Sequence, residues 1–315
     1  MFFYFFILRW IKIFKPFQKV QIFSIMEIFF FSISYFYKRM YALNFLDLNN
    51  YEIITKIGQG GFGEVFKIRN KTTDDFYAAK ILIGRKGNSK IAHREVDIMV
   101  KLNYPSVLKL IGYSPTNFDN EPDHVIVTEY IPNGTLYDIL EMERKSQNTS
   151  KFDDTKKLIT IYGIASGMSY LHSNRIVHRD LKSQNIFIDG NLWPKVADFG
   201  LSKIIPVNKY SLTNSSGQGF KGTPNYIAPE IYEEDSYTKA GDVYAFAMII
   251  YEIMTLKIPF ENIEWYRLMF MVPQGKRPEL PSQLDKSYKN LIERCWSQNP
   301  KDRPSFADIT KELKE

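Results

Sequence analysis

His178-Arg179-Asp180-Leu181-Lys182-Ser183-Gln184-Asn185, followed by Asp198-Phe199-Gly200, is the densest chemistry in the chain. Carboxylates, an amide and an ammonium converge here, and the carboxylate and amide oxygens are hard donors of the kind that hold magnesium. Each piece alone also reads as an ordinary loop, turn or core residue. The sequence to either side separates the two readings.

Upstream, residues 51–57 and 64–68 alternate as short strands around Gly58-Gln59-Gly60-Gly61-Phe62-Gly63. Glycines let backbone approach phosphate oxygens and turn N–H groups towards them. By itself this G-x-G-x-x-G also fits a dinucleotide-binding fold or a glycine-rich hairpin. In a dinucleotide fold the last glycine opens a helix, whereas Glu64-Val65-Phe66 after Gly63 reads as a strand. Val65 would then roof a flat base. The next strand, residues 75–83, carries Lys80 inside an apolar run. A lysine there is costly unless it is paired or snorkels to an edge. Glu95, in the helical pattern of residues 92–99, is available as its partner, and the pair would aim the ammonium at α- and β-phosphates.

Taken in order, the glycine loop, the strand lysine, His-Arg-Asp-Leu with Asn185, Asp-Phe-Gly and Ala228-Pro229-Glu230 resemble a eukaryotic protein kinase domain. Arg294 to Phe306, with Cys295-Trp296, resembles the closing helices of the tyrosine-kinase-like group of serine/threonine kinases. The resemblance covers residues 48–314. It implies an α+β, bilobal fold: a small β-rich N-lobe with one regulatory helix (about 48–128), a hinge at 129–132, and a larger helical C-lobe (about 133–314).

The same resemblance implies ATP as phosphoryl donor with Mg2+, for which Mn2+ can substitute, and protein substrates. Asp180 is expected to accept the substrate hydroxyl's proton, and Lys182 to neutralise the γ-phosphate. Asn185 and Asp198 are the expected metal ligands. The nucleotide is expected against Ile57, Gly58, Gln59, Gly60, Gly61, Phe62, Gly63, Glu64 and Val65, with Ala78 above the base and Phe187 below it. Lys80 and Glu95 serve the phosphates, Thr128 is the gatekeeper, and backbone groups of Glu129 and Ile131 bond adenine. His178 is expected to pack, with Phe199 between it and Met99. Lys182 and the segment from Gly222 to Glu230 favour serine/threonine over tyrosine or dual specificity, with Thr223 bridging Asp180 and Lys182. A pseudokinase scaffold is the reading from another class, and the full inventory of Lys80, Glu95, Asp180, Asn185 and Asp198 speaks against it.

In the C-lobe, Leu158, Ile161, Ile164, Ala165, Met168 and Leu171 recur at three- and four-residue steps and predict one buried helix face. Residues 243–254 are apolar nearly all round and predict a buried central helix. Asp242 at its start is suited to accept backbone N–H bonds; the resemblance implies that they come from the catalytic loop, and that Arg303 grips Glu230 bidentately. The polar stretch 141–154 reads as a solvated loop. Arg179 is expected to be a cation without a resting partner, which a phosphate on the segment between Asp198 and Glu230 would engage, with Ser215 or Ser216 the favoured positions.

The formal charge is +6 over 315 residues, but residues 1–46 hold six basic residues against Glu27 alone. The body is therefore near neutral, which removes the case for nucleic-acid binding. A single cysteine, Cys295, excludes an internal disulfide and fits a reducing, ATP-rich cytoplasm. Half of the 24 phenylalanines fall in residues 1–46. The longest apolar run there, residues 22–37, is 16 residues and includes Glu27, short of the roughly 20 that span a bilayer. The segment reads as an over-extended gene start with Met40 as the true initiator, as a membrane anchor, or as a packing extension. Any membrane association rests on it alone. Oligomeric state has no signature in the sequence.

Overall fold

Strand alternation beginning at Tyr51 builds a five-stranded antiparallel sheet in the computed structural model, which describes residues 44–60, 63–82, 88–145, 152–206, 212–213, 222–234 and 236–315. The strands are β1 (Tyr51–Gly60), β2 (Gly63–Asn70), β3 (Phe76–Leu82), β4 (Leu110–Ser114) and β5 (His124–Glu129), in the order β1-β2-β3-β5-β4. Helix α1 (Asn88–Met99) packs on β3, β4 and β5. Ile68, Ala79, Leu82, Ala92, Val96, Ile98, Val125 and Val127 are buried in this lobe. Chain Asp47–Glu315 is one compact unit. Apart from residues 44–46, the phenylalanine-rich segment lies outside the described residues.

The second lobe is helical, with α2 (Leu136–Lys145), α3 (Asp154–Ser173), α4 (Pro229–Glu234), α5 (Lys239–Thr255), α6 (Trp265–Met271), α7 (Lys286–Cys295) and α8 (Phe306–Glu312). Asp153 caps α3 by accepting from Lys156 N, and Thr238 caps α5 by accepting from Ala240 N. The left-handed Leu256 ends α5. Helix α5 is buried from Gly241 to Ile253, as its apolar sequence predicts. On α3 the predicted stripe is buried with one exception. Ile161, Ile164, Ala165, Met168 and Leu171 are fully buried, each of the large ones contributing about 1.5–3 kcal/mol. Leu158 is 40% exposed, lying before Thr160, where burial on α3 begins.

The stretch 141–154 also departs from expectation. Residues 141–145 complete α2, where Glu141 pairs with Arg144 at 3.1 Å and with Lys145 at 2.9 Å. Arg144 also donates to the Leu256 carbonyl at 2.7 Å, and Phe152 is buried. A polar composition hid a helix end and its anchor. Residues 146–151 lie outside the described residues.

Two short ribbons frame the loop from His178 to Asn185. Strand β6 (Ile176–Val177) pairs with β9 (Lys203–Ile204), and β7 (Ile186–Ile188) pairs with β8 (Pro194–Val196). The catalytic-loop motif spans β6 to β7, and Asp198-Phe199-Gly200 follows β8. A further pair joins β10 (Leu212–Thr213) to β11 (Ser236–Tyr237).

Candidate active site

Lys80 lies on β3 opposite Val65 on one side and Ile126 on the other. Its ammonium reaches Glu95 of α1 at 2.9 and 3.0 Å, and Asp198 at 3.4 Å. Burial works against the lysine's charge, but Glu95 and Asp198 outweigh it and raise its pKa. Burial likewise opposes the Asp198 carboxylate, yet Lys80, His178 and the Gly200 N–H outweigh it and hold its pKa below the ordinary range. Asp198 therefore stays ionised. Its backbone is left-handed at φ 63°, an unusual state for a non-glycine residue.

The loop after β6 is fastened from α5. Asp242 accepts the backbone N–H groups of His178 and Arg179, both at 2.9 Å, and the His172 ring Nε2 at 2.8 Å. Arg179 is also left-handed, at φ 72°, and these bonds hold it so. His178 is fully buried, lies tilted at 57° against Phe199 with 5.6 Å between ring centroids, and meets the Ala197 carbonyl through Nε2 at 2.9 Å. Its Nδ1 accepts from Asp180 N at 3.3 Å. Both ring nitrogens are thus engaged inside the fold.

Three side chains converge on Asp180. Asn185 Nδ2 donates to its carbonyl at 2.8 Å and to its Oδ2 at 3.2 Å. Lys182 Nζ lies 3.0 Å from Oδ2. Thr223 donates to Oδ1 at 2.9 Å while accepting from Lys182 at 2.8 Å, so the threonine bridges the two as the sequence predicts. Gly222, at φ 121°, makes room for that approach, since a Cβ there would come within 3.0 Å of the Arg179 carbonyl.

Above this floor sits the glycine-rich hairpin. Ile57, Gly58, Gln59 and Gly60 end β1, and Gly63, Glu64 and Val65 begin β2, while Gly61 and Phe62 lie outside the described residues. Lys56 ties the two strands together through Gln59 at 2.9 Å and Glu64 at 2.6 Å. Gly63 has no substitute, because a Cβ would fall 2.0 Å from the Ile81 carbonyl oxygen. Val65, Ala78 and Phe187 are half-buried on β2, β3 and β7. Ala78 lies opposite Thr128 across β3–β5. The Thr128 hydroxyl donates to the Glu129 carbonyl at 3.2 Å, and Ile131 is buried just beyond β5.

The donor set suits a cation that is completed by its substrate. Among the described residues no group of three or more His, Cys, Asp or Glu side chains is placed to hold a metal. Asp198 offers a carboxylate, and Asn185, its amide nitrogen turned to Asp180, offers Oδ1. Two oxygen donors, with the remainder left to phosphates and water, match the way Mg2+ binds in phosphoryl-transfer sites.

One expectation is corrected. Arg179 has a resting neighbour: its guanidinium carbon lies 4.0 Å from the centre of the Tyr237 ring. Ser215 and Ser216 lie outside the described residues.

Sequence reasoning missed a second polar network, directly behind the catalytic loop. Glu252, fully buried on α5, accepts from Ser183 at 2.9 Å and from the Tyr226 hydroxyl, with Arg144 at 3.6 Å. Burial pushes its carboxyl up to about 7. The available signal was an acid inside the apolar run of residues 243–254. Arg303, by contrast, grips Glu230 at 2.7 and 2.8 Å as expected.

Residues 51–313 match the protein kinase domain family. The chain belongs to that family. Its kinase domain is similar to the probable serine/threonine-protein kinase drkC of Dictyostelium discoideum, at 32% identity over 88% of this chain and 36% of the relative. It is similar too to the serine/threonine-protein kinase CTR1 of Arabidopsis thaliana, at 36% identity over 84% of this chain and 31% of the relative. A third relative is the RGS domain-containing serine/threonine-protein kinase A of Dictyostelium discoideum, 36% identical over 80% of this chain and 21% of its own length. The kinase domain thus spans about a third or less of these relatives. No described helix is long and apolar enough to cross a membrane.

Proposed function

We propose that this kinase domain transfers the γ-phosphate of ATP to serine and threonine hydroxyls of protein substrates in the cytoplasm. The observation that carries the reading is the Asp180–Thr223–Lys182 cluster. It sets a proton acceptor and a cation side by side where a hydroxyl nucleophile and a transferring phosphoryl group would meet. Lys80, oriented by Glu95, holds the α- and β-phosphates, and the hairpin from Ile57 to Val65 covers them. Thr128, Glu129 and Ile131 line the adenine site.

Asp198 and Asn185 would hold Mg2+, which would neutralise phosphate charge. As the substrate oxygen attacks phosphorus, its proton passes to Asp180 and the bond to the ADP oxygen breaks. Lys182 follows the charge on the transferred group. The restraint of Asp180 by Asn185 and Thr223 keeps the acceptor in line and supplies part of the rate by orientation alone.

Serine/threonine preference is supported by Lys182 and Thr223 and by the names of the relatives. Phosphoamino-acid analysis of a generic protein substrate tests it. Phosphoserine and phosphothreonine are expected. Phosphotyrosine alone would overturn the specificity, and no transfer at all would favour a scaffold.

A further inference from the structure

Ser183 carries a side chain that the proposed chemistry does not use. It is fully buried within the catalytic loop, directly after Lys182 and two residues before Asn185. It opens a single 3-10 turn, Ser183–Asn185, which Lys182 enters from extended backbone without a side-chain cap. Backbone bonds close the turn, from Asn185 N–H to the Lys182 carbonyl at 3.0 Å and from Ile186 N–H to the Ser183 carbonyl. The Ser183 hydroxyl points out of the turn and donates to Glu252 Oε2 on α5 at 2.9 Å. Two other oxygens lie farther from it, the Tyr226 hydroxyl at 3.3 Å and Gln184 Oε1 at 3.4 Å.

The geometry points to Ser183 as a positioning residue for phosphoryl transfer: its hydrogen bond to Glu252 fixes the turn that presents Lys182 to Asp180 and Thr223. The inference rests on the kinase reading above.

A lone 3-10 turn is a weak element with poor hydrogen-bond geometry of its own. Leu181, buried just before it, holds the loop against the lobe. Apolar contact has no direction, however, whereas a hydroxyl–carboxyl bond does. With that bond in place, α5 grips the loop at two points, about 15 Å apart along the helix axis. Asp242 takes the N–H groups of His178 and Arg179 where the loop begins, and Glu252 takes Ser183 near its end. Asp180 and Lys182 lie between these points. Glu252 also accepts from Tyr226, three residues after Thr223. Lys182 and Thr223, which meet at 2.8 Å, are therefore both tied through the chain to one acceptor. Without the Ser183 hydroxyl the turn can rotate and carry the Lys182 ammonium off the transferring phosphoryl group. Displacements of about 1 Å are enough to cost a reaction much of its rate.

The test replaces Ser183 by Ala, which deletes the hydroxyl, and by Cys, which keeps a side chain of similar length but is only a weak donor. Each is made in the parent and in a Lys182→Ala background. Single-turnover transfer to a serine-containing substrate, ATP affinity by titration and melting temperature are measured, with rates taken well below each melting midpoint. In the parent, both substitutions should slow transfer about ten-fold at unchanged ATP affinity, the scale of leaving one buried acceptor without its donor. In the Lys182→Ala background neither should cost anything further.

Parental transfer by Ser183→Ala would overturn the inference. A loss in the Ala variant with none in the Cys variant would mean that Ser183 only fills space. An equal loss in both backgrounds would mean that it supports the fold without acting through Lys182. If the Ala variant does not fold, the Cys variant alone carries the comparison between backgrounds. An inactive parent enzyme would instead sink the proposed function, so the two failures are separable.

Discussion

Replacing Glu252 with glutamine keeps the shape of the network behind the catalytic loop and removes its titration. The carboxyl is wholly buried among Ser183, Tyr226 and Arg144, and burial raises it from the ordinary 4.5 to about 7. Between those two values the folded protein holds a proton that the unfolded chain has released, so stability falls as pH rises through the window and levels off above it. At about 1.4 kcal/mol per pH unit, the gap amounts to ~3 kcal/mol. Glutamine carries no such penalty, and its amide can both accept from and donate to the two hydroxyls. Denaturant unfolding of parent and Glu252→Gln at intervals from pH 4.5 to 8 measures the difference. The variant's advantage should grow by ~3 kcal/mol across the window and then stay constant. Parallel stability curves would refute the reasoning, since the carboxylate would then be ionised in the fold without cost.

Two further substitutions probe the frame of the site. Gly63→Ala forces a Cβ into the Ile81 carbonyl at 2.0 Å, so the β2–β3 ladder must part. A stability loss of about 1–3 kcal/mol and a raised KM for ATP are expected, read by unfolding and steady-state kinetics. Arg303→Lys keeps the charge but loses the fork that engages both Glu230 oxygens and the Ala240 carbonyl. Melting should show a loss of about 3 kcal/mol, and an unchanged midpoint would deny the fork its role.

Much of the site was legible because its chemistry restricts residue types at short range. Lys80 in an apolar strand needed a carboxylate, and Glu95 on the next helix supplies it. Asp242 at the head of an apolar helix needed donors, and the loop N–H groups of His178 and Arg179 supply them. What escaped were contacts set by tertiary packing between distant positions. No local pattern says that Glu252 meets Ser183, that His172 shares Asp242, or that Tyr237 covers Arg179. Periodicity put Leu158 on the α3 stripe, but it lies before Thr160, where burial on that helix begins. Composition misread residues 141–145, whose charges pair along a helix.

In the proposed reaction Asp180 accepts the hydroxyl proton during phosphoryl transfer. Asp180→Asn preserves the side-chain volume and can keep the acceptor for the Thr223 hydroxyl, so fold and ATP affinity should persist. Single-turnover transfer from ATP to a serine-containing substrate measures the chemical step directly. A fall of about 10²–10⁴-fold at unchanged ATP affinity is the predicted result. Transfer by Asp180→Asn at the parent's rate would contradict the claim.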